Sequence, residues 1–308
     1  MPTIDLSTPP PPPATLLDGL PRRVTLTLPE LRLVAERAGG APLPFELAAP
    51  RETHALEDRL GTSRATTEDS AYAAALASLH DPEETLVRRG LLGEVGGDTG
   101  LVGAVGLLAT PQTALDLDVT AAGIRARAWH RRAGDAVATL STVDGIVFEL
   151  AWFPTSRWAE ELGRAAVLPA ECAVTGSAVP AVLDLPFELA DAAAEALRSG
   201  RGDLLPVLVE QADGAVLDAT GEPLGEGEAA TVLAALSTES RGRLRALVAD
   251  LTGEETTVVG VVSWSLLADG WHALRPREVD GRARVRVSAV TPDALAAELA
   301  PVLAEVTA

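Results

Sequence analysis

The 308-residue chain carries 44 acidic against 25 basic side chains, a formal net charge of −19, with 47% apolar residues and one cysteine. That apolar content suffices for a buried core, and the negative balance argues against nucleic acid or an anionic membrane as partner, because phosphates attract cations. All 25 basic residues are arginine, which removes every mechanism that needs an ammonium: a phosphate-loop lysine, a Schiff-base lysine or a Ser-Lys pair.

Residues 1–22 hold Pro9 to Pro13 in a row with little apolar pattern, and read as a disordered proline-rich tail outside the fold. Arg23 to Thr27 alternates like a strand. Pro29 suits the first turn of a helix, and Gly39-Gly40 stops it. Helices are predicted at 50–60, 67–80 and 82–90. In the last of these, Asp81-Pro82-Glu83-Glu84 supplies an N-cap, a proline at N1 and a carboxylate at N3, with Gly90 beyond the end. The glycine-rich stretch 96–106 reads as loop plus a glycine-tolerant helix. Leu115, Leu117 and Val119 then alternate with Asp116, Asp118 and Thr120, the mark of a strand with one buried and one wet face. Further strands follow at about 124–130, 135–143 and 145–152, turned at Gly134-Asp135 and Asp144-Gly145. Thr155 or Ser156 caps a helix to about 167, and 168–182 is a linker.

In the second part, helices are predicted at 187–199, 203–212, 227–236 and 239–252, and strands at 256–267, 270–275 and 282–290. A closing helix runs from Pro292 with Thr291 as its cap. Two pieces of sequence recur at one interval: Leu-Pro-Phe-Glu-Leu at 43–47 returns at 185–189, and Trp129-His130 returns as Trp271-His272. A period of roughly 140 residues indicates two fused halves, not a solenoid. The predicted architecture is therefore α+β: two pseudo-symmetric halves, 23–167 and 183–308, sharing a central antiparallel sheet flanked by helices.

Comparing the copies at that even interval points to a candidate surface. Leu115, Leu117 and Val119 align with Thr257, Val259 and Val261 as the core face. Asp116, Asp118 and Thr120 align with Val258, Gly260 and Val262, and the same face continues to Trp264 and Leu266. A face that is acidic in one copy is apolar in the other, so it needs a cover: the chain's own helices, or a partner. The next strand sets Arg282, Arg284 and Arg286 on one face, which reads either as rim chemistry for a protein interface or as a solvated face balancing local carboxylates.

Catalytic chemistry finds no footing. His54, His80, His130 and His272 lack metal-ligand spacing among themselves or with Cys172. Cys172 stands beside Glu171, a neighbour that disfavours a thiolate. The glycines at 96–106 lack a phosphate-loop fingerprint, and Asp116 with Asp118 offer a cation too few oxygens. No cofactor or metal is expected. With no apolar run of membrane length, no cationic start before an apolar segment and a lone cysteine, the expected setting is cytoplasmic without membrane insertion.

The order of these elements resembles the EspG family, cytosolic chaperones associated with type VII secretion in actinobacteria. The resemblance covers about residues 23–306. It rests on the opening strand and helix (Val24 to Ala38), the Leu-Pro motif at 43–47, the meander containing Arg125 to Trp129, the Thr155 helix start and the second copy closing with Thr291-Pro292-Asp293. The proline tail and the missing lysine depart from the family pattern. The resemblance implies a non-enzymatic protein that binds a PE/PPE-like helical heterodimer and holds its apolar tip until secretion. On that reading the binding surface comprises Val258, Val262, Trp264 and Leu266, with Arg284 and Arg286 beside them and the hairpin loop from Arg131 to Asp135. A ligand-binding or enzymatic cleft between the halves, and a homodimeric module using the same apolar face, are the alternatives.

Overall fold

The computed structural model describes residues 21–45, 67–93, 96–253 and 255–306. The chain opens with β1 (Arg22–Thr27), α1 (Leu28–Arg37), α2 (Thr67–Ala77), α3 (Pro82–Arg88), the short pair β2 (Leu92–Gly93) and β3 (Gly96–Gly97), and α4 (Thr99–Ala109). The meander β4 (Thr113–Ala121), β5 (Ile124–Ala133), β6 (Ala136–Thr142) and β7 (Val147–Pro154) leads to α5 (Trp158–Ala165). Then come β8 (Val182–Pro186), α6 (Phe187–Arg198), α7 (Leu205–Ala212) and α8 (Glu226–Thr238). The chain closes with β9 (Gly242–Asp250), β10 (Thr257–Leu267), β11 (Gly270–Val279), β12 (Arg282–Val290) and α9 (Ala294–Glu305). The fold is α+β, with a ten-stranded antiparallel sheet of order β1-β7-β6-β5-β4-β9-β10-β11-β12-β8.

Local chemistry explains most of these boundaries. Thr27 and Glu30 form a capping box at the start of α1, with Pro29 in its first turn. Asp81 caps α3 by accepting from the Glu84 N–H, and Gly90 follows at φ 69°, the left-handed position that glycine fills after a helix. Asp98 caps α4 the same way, through the Leu101 N–H. The Ala122-Gly123 turn between β4 and β5 has both residues at positive φ, 51° and 79°, as a two-residue hairpin of right-handed twist requires.

Three expectations change. The segment 239–252, expected as helix, is β9, paired to both β4 and β10. Val182–Pro186, placed between linker and helix, is the edge strand β8. The closing helix starts at Ala294 after Asp293, without a side-chain cap from Thr291. The predicted helix at 50–60 and the proline run lie outside the described residues.

The repeated interval also misplaces one copy by an element. Read outward from the central β4–β9 pair, the strand order runs β5, β6, β7, β1 on one side and β10, β11, β12, β8 on the other. Leu185-Pro186 ends β8 and starts α6, whereas the matching junction at the other edge is Leu28-Pro29 after β1, not Leu43-Pro44. Trp129 lies on β5 and Trp271 on β11, which are not counterparts in that order.

The chain divides into two compact units. One holds the described residues up to Gln112 with His130–Arg157, the other Thr113–Trp129 with Trp158 onward. In the first, β1 pairs with β7 so that Val24 faces Leu150 and Leu26 faces Phe148. The buried side chains Leu31 and Val34 of α1 and Leu101, Val105 and Leu108 of α4 complete this core. Gly100 lets α4 approach the sheet, since a Cβ there would meet Trp152 Cζ2 at 3.0 Å.

In the second unit the sheet is covered on different faces at its two ends. On one face, α5 and α9 lie over β9, β10 and β11. Trp271 Nε1 donates to the Ala166 carbonyl at 2.8 Å, and Val302 of α9 packs on Gly260. On the other face, α6, α7 and α8 cover Leu183, Leu185 and Val287 with Leu189, Val209 and Leu233. The β4–β9–β10 portion of that second face carries the surface considered next.

Candidate partner-binding surface

Antiparallel register fixes which side chains share a face. Leu115, Leu117 and Val119 of β4 lie opposite Val248, Ala246 and Leu244 of β9, which in turn lie opposite Gly260, Val262 and Trp264 of β10. These residues form one continuous apolar face beneath α5 and α9. Trp264 is 1% exposed and Leu266 0%, and Trp264 packs on Trp271 with ring centroids 6.2 Å apart. The chain's own helices are thus the cover of this face, and Trp264 and Leu266 are core. Val262 shares their side, half-buried.

Val258 is separated from them. A β-bulge between Val258 and Gly260 inserts one extra residue, Val259, so that Val258 pairs with Ala249 and emerges on the opposite face. It is 55% exposed. The constant interval carried parity straight through this bulge, and for that reason placed Val258 beside Trp264.

The opposite face is the open one. Asp116, Asp118 and Thr120 lie across from Leu247, Arg245 and Arg243, and these from Val261, Ser263 and Ser265. Arg243 and Arg245 are exposed, and Val261 is 43% exposed. On β5, Arg125 donates from Nε to both Asp118 oxygens at 3.1 Å, which holds the Arg125 guanidinium pKa above its usual value. Alternation sets Arg127 on the same side, stacked over Trp129 at 5.5 Å. The result is a shallow sheet surface of Val258, Val261 and Leu247 among arginines. Arginine around modest apolar area is the composition of protein interfaces, and no nucleophile with a base is set on it.

Sequence reasoning missed Arg243 and Arg245 because their segment was read as helix. The signal was there: Leu244, Ala246 and Val248 alternate with Arg243, Arg245 and Leu247, a period of two.

The remaining expected residues fall elsewhere. Arg284 is committed to Asp184, accepting no solvent role of its own: its Nε reaches the Asp184 carboxylate and its Nη2 donates to the Ala215 carbonyl at 2.8 Å. Arg286 is its neighbour on the same face of β12. In the first unit, Arg131 is not in a loop but on β5, 7% exposed, donating to the His130 carbonyl at 3.0 Å. Asp135 is in the turn, where its carboxylate accepts from the Thr155 hydroxyl and its carbonyl from the Thr155 N–H. It fixes the end of β7. His272, fully buried, hydrogen-bonds Asp269 through Nε2 at 2.8 Å, and Cys172 is buried.

No family model matches this sequence, and no curated protein does. Among solved structures the chain is similar to the Mycobacterium tuberculosis type VII secretion system chaperone EspG5, determined in complex with the PE25-PPE41 dimer. The TM-score is 0.59 at 11% identity, over 92% of this chain and 96% of that one. The likeness shows an EspG-like fold.

Proposed function

We propose that this protein is a non-catalytic chaperone of a type VII secretion system, binding a PE/PPE-like helical heterodimer in the cytoplasm and masking its apolar tip before export. The observation that carries this reading is an open sheet face of Val258, Val261, Leu247, Arg243 and Arg245 on an EspG-like fold. The similar protein binds such a dimer. Masking requires a surface with some apolar area and polar anchors that stays soluble when empty, and arginines interleaved with valines meet both demands. A partner bound only by the folded chaperone would be held soluble by mass action. Val262, Trp264 and Leu266 serve this surface from beneath, as the packed layer that keeps the strands rigid. No described helix is long and apolar enough to cross a membrane.

Co-expression with a PE/PPE-like pair from the same genome, followed by size-exclusion chromatography with light scattering, tests this. A complex of one chaperone with one heterodimer is expected. A chaperone eluting alone, with the pair aggregated, would overturn the reading.

A further inference from the structure

The chain is strongly acidic, yet one surface of its second unit reverses that balance. Pairing of β11 with β12 sets Arg275 across from Arg286, Arg277 across from Arg284, and Val279 across from Arg282. Alternation therefore gathers five guanidinium groups on one side of the sheet. It is the side away from Val261, because Leu274 and not Arg275 lies across from Ser263.

Two carboxylates of the chain answer these five. Glu298 of α9 accepts from Arg275 Nε at 3.0 Å through each oxygen. Asp184 of β8, 3% exposed, lies 2.6 Å from Arg277 Nη2 and accepts from Arg284 Nε. Arg282 is exposed, Arg286 is half-buried, and neither has an ion pair among the described residues. Local charge is positive where the chain as a whole is negative.

We infer that the β11–β12 arginine row is a second docking surface, taking a carboxylate-bearing extended segment of a protein partner. The chain itself displays the chemistry: Arg275 grips Glu298 through the guanidinium fork, Arg284 holds the Asp184 carboxylate through Nε, and Arg282 and Arg286 continue the row without a carboxylate. Residues two apart on a strand stand roughly 7 Å from each other, the repeat of acidic side chains at alternate positions of an extended peptide. A long polyanion is disfavoured, since it would extend over the acidic remainder of the surface, whereas a short segment acts within a screening length of about 8 Å.

The test is fluorescence anisotropy of a short labelled peptide alternating Glu and Thr, titrated with the full chain, beside the same peptide with Gln for Glu. The acidic peptide binds, the Gln peptide does not, and binding weakens as salt rises. The double variant Arg282→Glu with Arg286→Glu weakens it by about tenfold or more. Should that variant misfold by circular dichroism, Arg282→Gln with Arg286→Gln is read instead and weakens binding in the same sense. Arg243→Glu with Arg245→Glu, on the other face, leaves it unchanged. Absent binding, equal binding of both peptides, an unaffected row variant, or a preference for heparin fragments or phosphatidylserine vesicles would each overturn the inference.

Discussion

Gly260 and Val302 stand so close that a Cβ on Gly260 would lie 2.7 Å from Val302 Cγ1. The glycine lets α9 settle on the sheet just beyond the bulge at Val259. Gly260→Val therefore overpacks the junction and destabilises the chain by about 1–3 kcal/mol. Urea unfolding of the single variant and of the pair with Val302→Ala checks the cause: the pair recovers part of the loss. Equal stability of Gly260→Val and the parent would show that α9 does not press on this strand.

Asp184 anchors the edge strand β8. Its backbone N–H and carbonyl bond Leu217 at 2.9 and 2.7 Å, and its buried carboxylate is shared by Arg277 and Arg284. Removing the carboxylate leaves Arg284 half-desolvated without its counter-ion, which costs more than the pair itself contributes. Asp184→Ala is expected to lose about 3 kcal/mol in denaturant unfolding. Replacing both Asp184 and Arg284 with apolar residues should lose less than Asp184→Ala alone.

Fold class, most element boundaries and the hairpin turns were legible in the sequence because capping and turn residues act locally. Pro29 with Gly39-Gly40, Asp81 with Glu84, and the glycines at 90 and 134 need no long-range information. What was not legible depended on pairing. Leu244, Leu247 and Val248 fit a helical period as well as Leu244, Ala246 and Val248 fit a strand, and only the flanking β4 and β10 settle the segment as β9. The bulge at Val259 was equally invisible, and a single extra residue moved Val258 to the other face. The candidate surface consequently shifted from Trp264 to Arg243, Arg245 and Val261.

Acid stability should depend on Glu30. Burial of its carboxyl raises the pKa, but the Thr27 N–H, the Thr85 and Thr27 hydroxyls and Arg89 together outweigh this and hold it below the usual glutamate range. Arg89 Nη1 lies 3.2 Å from Glu30 Oε1, and Arg89 also caps the Thr25 carbonyl of edge strand β1 at 2.6 Å. A carboxylate with a depressed folded pKa stabilises fully above its unfolded value, about 4.3, and loses that contribution as pH falls through the folded value. Thermal melts from neutrality into that acid range should show Glu30→Gln less stable than the parent at neutral pH. The two curves should converge in acid. A gap independent of pH would mean the loss is one of packing.

The division of the sheet into a buried apolar face and an open arginine-bearing face gives opposite outcomes for substitutions on one strand. Val261 and Trp264 are three residues apart on β10, yet Val261 is open and Trp264 lies under α9 and against Trp271. Trp264→Ala leaves a cavity in the core and should cost about 3–5 kcal/mol, visible as a lowered melting temperature with or without partner. Val261→Asp and Arg245→Glu change only the open face, where substitutions shift stability by no more than about 0.5 kcal/mol. Both should keep the parent's melting temperature while losing capture of the PE/PPE-like pair. If Val261→Asp and Arg245→Glu retain capture at parental strength, the open face of β9 and β10 is not where the pair binds.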